Sequence, residues 1–178
     1  MFALEKKTLT RARLRRMILL SMLAAIGVVL SPILRVPGMA PMQHFINVVC
    51  AVLLGPWYAL ACAAMIAVIR MSLLGINLLA LTGAVFGAPL AGLFYRATGY
   101  TAAAAAGEII GTGVIGAMVS YPVMAFVYGN ADVALFTYIP SFIAGTVIGG
   151  VLGLIFLQAL KRQGALRRLT ERLWEDKT

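Results

Sequence analysis

The stretch PMQHFINVVCAVLLGPW, residues 41–57, sets a nearly unbroken apolar run between a polar mouth and a Gly-Pro turn. Gln43, His44 and Asn47 crowd into its first turns, and His44 is the only histidine in the chain. An apolar run bounded in this way, from about 44 to 55, reads as a short helix. Pro56 then opens a second helix, because proline at the first helical position gives up an N–H that has no intrahelical partner anyway. The turn between the two allows only antiparallel neighbours. What remains is to find the solvent in which such a run is stable.

The composition answers that. Of 178 residues, 62% are hydrophobic and 12% charged, where soluble domains are about half apolar and about a quarter charged. Between Met17 and Leu160 the basic residues are Arg35, Arg70 and Arg96, and the acids are Glu108 and Asp132. A chain this apolar cannot cover its own surface in water, so it reads as an integral membrane protein. The net charge of +9 is gathered at the two ends. Lys6, Lys7, Arg11, Arg13, Arg15 and Arg16 precede the first apolar run; Lys161, Arg162, Arg167, Arg168 and Arg172 follow the last. Basic clusters at helix ends mark the cytoplasmic side, where anionic membrane lipid is their natural neighbour. Nucleic-acid binding would interleave aromatics with the basic residues, and only Trp174 stands near, so no nucleic-acid partner is expected. The basic arm and first apolar run have the outline of a signal peptide, but further runs follow and no small-residue cleavage site is evident, so the first helix reads as retained.

A membrane span needs about 20 apolar residues. Punctuation by Pro, Gly and polar residues predicts six spans, at roughly 17–34, 44–55, 57–74, 78–96, 101–121 and 136–160, the second of them short. The expected fold is therefore an all-α, six-transmembrane-helix bundle. It divides into a basic cytoplasmic segment (1–16), a six-helix transmembrane domain (17–160) and a basic cytoplasmic tail (161–178). An even number of spans places both basic termini in the cytoplasm, at the cell membrane. The outer face then receives the 31–43 loop, the 75–77 region and the 129–135 loop.

Small residues recur every fourth position: Gly83, Gly87 and Ala91; Gly107 and Gly111; Gly145, Gly149 and Gly153. In lipid, helices associate by close backbone packing over such faces, so these series predict contacts inside the bundle. Ser21, Ala24 and Ala25 on the first helix form a shorter version, for which docking of a partner protein competes with internal packing.

Several chemistries are excluded. No G-x-x-x-x-G-K-[ST] loop exists, so the chain has no ATPase site of its own. One histidine with Cys50 and Cys62, both inside apolar runs, makes no conventional zinc site, and the cysteines read as small buried hydrophobes. Neither a metal nor a cofactor is expected. The remaining polar groups must find partners inside the membrane or face water. Gln43, His44 and Asn47 share one helical face by their spacing. Arg70 and Asn77 flank the third-to-fourth connection, while Tyr121, beside the Pro122 break, and Asn130 lie at the outer end of the fifth span. Their convergence on one side of the bilayer is how a small-molecule pocket is made, mostly apolar with a few placed donors and acceptors. Taken singly, each has a plainer reading: His44 as a capping residue, Arg70 snorkelling to the interface, Asn47 in an interhelical hydrogen bond, Tyr121 as an interfacial anchor. Glu108, about seven residues into the fifth span and nearer the cytoplasmic end, needs a partner there, with Thr112 one turn on. It either reaches the pocket floor or ties helices together. A Glu108–His44 pair is the sole arrangement that would suit acid–base catalysis.

The ordered series PMQHFINVVCAVLLGPWYALACA, IR, GAPLAGLFYR and GEIIGTGVIGA, within roughly residues 17 to 120, resembles the ThiW family. Members are substrate-binding S-components of energy-coupling factor (ECF) vitamin transporters, associated with the thiazole precursor of thiamin. At 80–84 this chain reads ALTGA where the family pattern has AFPGS. The resemblance implies a six-helix protein that captures its ligand from outside, most simply hydroxyethylthiazole. It would join a membrane T-component and two ATPase subunits, docking through Ser21, Ala24 and Ala25. It makes Gln43, His44, Asn47 and Glu108 the leading substrate contacts. The competing expectations are an S-component for thiamin, its pyrimidine precursor or riboflavin, a membrane-embedded enzyme using His44 and Glu108, and a structural subunit without a ligand.

Overall fold

The computed structural model describes residues 2–33, 39–130 and 132–174, with side chains from residue 11 onward. Arg35 and most of the connection between the first two helices lie outside the described residues. The chain is an all-α bundle: α1 (Phe2–Ile33), α2 (Pro41–Leu54), α3 (Pro56–Leu74), α4 (Leu79–Thr98), α5 (Thr101–Val127), α6 (Ile139–Arg162) and α7 (Ala165–Trp174). Within α1 and in α3 to α6, five segments are long and apolar enough to cross a membrane, and α2 is a shorter apolar helix.

The shortness of α2 organises the rest. Its 14 residues rise only about 21 Å at 1.5 Å each, against a hydrocarbon core of about 30 Å. Twelve of the fourteen are buried, and α2 touches every other helix of the bundle. A helix that is hydrophobic all round belongs in the middle, and that is where α2 sits. Gly55, at φ 84°, makes the turn into α3, and Pro56 occupies the first turn of α3 as its spacing predicts.

The glycine series pack inside. A Cβ on Gly111 would stand 2.6 Å from both Gly87 Cα and Phe86 O, and one on Gly107 would stand 2.6 Å from Leu90 O, so α4 and α5 meet backbone to backbone. A Cβ on Gly149 would strike the Pro41 carbonyl and lie 2.7 Å from His44 Cβ, which presses α6 onto the start of α2.

Two expectations, on Pro122 and on Ala24, are corrected, and the two basic ends gain structural detail. The basic arm continues helically into the first span, α1 running from Phe2 to Ile33. Residues 2–16 hold neither Gly nor Pro and are rich in Leu, Arg and Lys, good helix formers. Pro122 does not end the fifth helix. The missing proline N–H is absorbed by a stretch of i→i+5 bonding over Val123–Val127, with Tyr128 N donating to Val123 O at 3.3 Å, a known way of accommodating a break in the ladder. A longer stretch of the same bonding, Ile109–Gly116, begins immediately after Glu108. Ala24 is 2% exposed and packs in the core, so it does not share an outward face with Ser21 and Ala25, both exposed.

The tail contains the amphipathic helix α7. Leu166 and Leu173 are buried, while Arg167, Arg168 and Arg172 face out. Trp174 Nε1 donates to Leu53 O at 3.1 Å, satisfying one of the carbonyls left open at the end of α2. The Arg16 guanidinium lies 4.5 Å from the Trp174 ring centroid, a cation–π contact, and Arg15 donates to Arg172 O at 3.1 Å. The two arginine-rich ends therefore meet on one side of the bundle.

The α4–α5 approach predicts the behaviour of Gly111→Val. Its side chain would meet backbone that cannot yield, so it should lose about 1–3 kcal/mol and melt several degrees lower in detergent. Gly150→Ala, whose Cβ would lie 3.5 Å from Ala105 Cβ in ordinary contact, serves as the control and should melt like the parent. Equal melting of Gly111→Val and the parent would refute the packing.

Candidate functional site

Because α2 starts partway into the bundle, space remains above its first turn. A cavity of about 190 Å³ occupies it, lined from below by Gln43 and His44 of α2 and at the sides by Arg70 of α3 and Thr112 of α5. Asn77 and Ile76, in the α3–α4 connection, stand with Met39 at its rim; Gly83, Ala84 and Phe142 complete the apolar wall. The volume falls below the roughly 300–1,000 Å³ of pockets that take drug-sized ligands, so the cavity fits a small molecule.

Beneath His44 lies the polar centre of the molecule. Glu108 Oε1 sits 2.9 Å from His44 Nδ1, accepts from Asn47 Nδ2 at 2.9 Å, and is 3.1 Å from the Thr112 hydroxyl. The Thr112 proton is shared with Gly83 O at 2.9 Å. Glu108 and Asn47 are both wholly buried and do not line the cavity. A carboxyl group in such a place costs several kcal/mol unless its hydrogen bonds are good, and here two helices supply them. Room for it comes from Gly87, where a Cβ would strike Thr112 Oγ1 and lie 2.7 Å from Glu108 Oε2. Among the described residues, Glu108 Oε2 and Asn47 Oδ1 have no hydrogen-bond partner.

A second pair closes the other wall. Arg70, 2% exposed, donates through Nη1 to Gln43 Oε1 at 2.5 Å, and Gln43 Nε2 reaches Ala63 O at 3.4 Å. Arg70 is thus a buried wall residue and does not snorkel. Nor is His44 a cap: α2 has Ala40 at its N-cap position and no side-chain capping bond. The site thus brings together one guanidinium, from Arg70, and one carboxyl group, from Glu108.

The expected cluster assembles in large part. Gln43, His44, Arg70, Asn77 and Thr112 line the cavity, and Glu108 and Asn47 support it from below. Tyr121 is half-buried and off the cavity, and Asn130 is exposed beyond the end of α5; neither joins the others. Sequence reasoning missed Met39 and Phe142, whose apolar side chains carry no distinguishing signal. It also missed the Thr82–Ser120 hydroxyl pair, 2.6 Å apart and buried between α4 and α5. No group of three or more His, Cys, Asp or Glu among the described residues could hold a metal ion.

Fold and site together define a multi-pass α-helical membrane protein with a small-molecule cavity opened by a short central helix. The model of the thiamine-precursor transporter protein family, ThiW, matches residues 17–163. The chain belongs to the ThiW family, and the match carries the likeness through α6. No curated protein and no solved structure matches it.

Removing the carboxyl group should reveal its structural weight. Glu108→Ala leaves two buried donors without an acceptor and should cost about 1–3 kcal/mol for each, seen as a large fall in melting temperature. Glu108→Gln retains an acceptor oxygen and should fall much less. Two variants that both melt like the parent would contradict the buried network.

Proposed function

We propose that this chain is the substrate-capture subunit of an energy-coupling factor importer and that its ligand is hydroxyethylthiazole. Membership of a thiamine-precursor transporter family sets the class of cargo. The observation that carries the finer reading is the cavity itself. It is small enough for one heteroaromatic ring with a short side chain, apolar over most of its wall, and polar where Gln43, His44 and Arg70 meet. The ring and methyl group of the thiazole pack against Ala84 and Phe142, and its ring nitrogen and hydroxyl meet the polar side. Thiamin is larger and permanently cationic, and would want aromatic faces or an accessible carboxylate. Glu108, the carboxyl group at this site, is buried under His44.

The remaining roles follow in the same reading. The arginine-rich ends, 1–16 and 161–178, lie in the cytoplasm and the cavity opens outside, with the cell membrane as the location. With no phosphate-binding loop in the sequence, transport energy comes from partner ATPase subunits through a T-component. Ser21 and Ala25, exposed on α1, supply the small-residue docking face.

The 2.9 Å His44–Glu108 contact favours one other reading, an enzyme that uses this dyad. Among the described lining residues the sole hydroxyl is Thr112, and its proton is directed to Gly83 O and Glu108. The dyad thus has no nucleophile placed beside it, which weighs for binding.

Thermal stabilisation of the purified protein by the thiazole alcohol, its pyrimidine counterpart, thiamin and riboflavin tests the assignment. The thiazole alcohol should stabilise most. A response to riboflavin alone would overturn the ligand, and consumption of any ligand would favour the enzyme. His44→Ala should weaken thiazole binding at least about tenfold, roughly 1.4 kcal/mol; unchanged affinity would remove His44 from the site.

A further inference from the structure

We infer that Glu108 is a positioning residue that makes His44 present a bare Nε2 lone pair to the cavity, so that the site selects a ligand whose hydroxyl donates a hydrogen bond there. This rests on the reading of function above and names the feature of the ligand that the site recognises.

The roles of the two ring nitrogens follow from the donors around Glu108. Asn47 Nδ2 is a donor whatever the state of its neighbours, so Glu108 Oε1, 2.9 Å away, is an acceptor. With Glu108 taken as the carboxylate, His44 Nδ1, 2.9 Å from that same oxygen, donates to it. In a neutral imidazole one nitrogen donates and the other accepts, and the bond made by one fixes the role of the other. Nε2 is then the acceptor, and it has no partner among the described residues. Its ring edge passes α6 at Gly145, where a Cβ would lie 3.4 Å from Nε2, in ordinary contact. His44 lines the cavity, whereas Glu108 is wholly buried behind it and does not itself line the cavity.

This makes the wall of the cavity two-sided in hydrogen-bond character. His44 offers an acceptor at the floor, and the Arg70 guanidinium, donor-only by chemistry, stands on the side. A neutral heteroaromatic alcohol matches both, with its hydroxyl on His44 and its ring nitrogen towards Arg70. An acceptor left unpaired in a buried site penalises a ligand that cannot donate, which is how such sites reject close analogues.

The test compares the thiazole alcohol with its own methyl ether, which keeps the ring and oxygen but has no O–H. The parent protein should bind the alcohol at least about tenfold more tightly, the scale of a single lost hydrogen bond at an unpaired acceptor. In His44→Ala and in Glu108→Leu the two ligands should approach parity. Glu108→Gln, whose amide oxygen still accepts from Nδ1, should restore the preference even where overall affinity is lower. A parent protein that binds alcohol and ether equally overturns the inference while leaving the thiazole assignment standing. So does a folded Glu108→Leu protein that keeps the preference. Should Glu108→Leu fail to fold, the parent and His44→Ala decide alone. A parent that binds neither ligand overturns the proposed function, and this inference with it.

Discussion

A carboxyl group lies at the centre of a bundle that has lipid for its solvent, and the rest of the structure is arranged around that cost. Glu108 is satisfied by His44 and Asn47 from α2 and by Thr112 on its own helix. None of these can be moved independently. The nitrogen donors come from the first turns of α2, so α2 must enter the bundle at that depth. Thr112 and Glu108 need space that α4 provides only because Gly87 has no side chain. Glycine at 149 then lets α6 close against His44. The small-residue faces that bring the helices together are thus also what allow a polar group to be buried among them.

The same arrangement leaves a cavity where the short helix stops. A full-length second span would fill that volume with side chains. Instead, the space above Gln43 and His44 is walled by five helices and connections, with His44 and Thr112 joining the buried network and Arg70 with Gln43 closing another wall. The cavity wall and the structural network therefore share two residues, His44 and Thr112. In the proposed reading such coupling suits a transporter, because a ligand held there would touch the element on which every other helix packs.

Much of the fold was legible in the sequence, and the exceptions share a cause. Apolar runs with Gly-Pro punctuation located all six membrane helices. Gly55, Gly75 and Gly99 end or join helices in left-handed or positive-φ backbone, as expected where glycine follows an apolar run. Pro122 misled because a helix can absorb proline by locally wider bonding, which a single-residue rule does not see. The α7 helix was hidden because its large apolar positions are few, Leu166, Leu169, Leu173 and Trp174, and their meaning appears only against the end of α2. Ala24 looked like its neighbours because spacing identifies a face and not its direction. In the sequence Glu108 is open between pocket floor and helix tie, because depth is counted along one helix. In space it stands about 10 Å above Thr101, while His44 stands about 15 Å above Leu54 at the same end of the bundle. A difference that small lets the two side chains touch. The relative height of neighbouring helices is a tertiary quantity, and one sequence does not encode it visibly.

The presence of a single histidine in the chain allows the central contact to be observed directly. Protein labelled with ¹⁵N in histidine gives one pair of ring-nitrogen signals, both belonging to His44. Nδ1 should carry the proton in the free protein, and addition of the thiazole alcohol should move the Nε2 resonance while leaving Nδ1 nearly still. A proton found on Nε2 in the free protein, or a ring that ignores the ligand, would contradict the account.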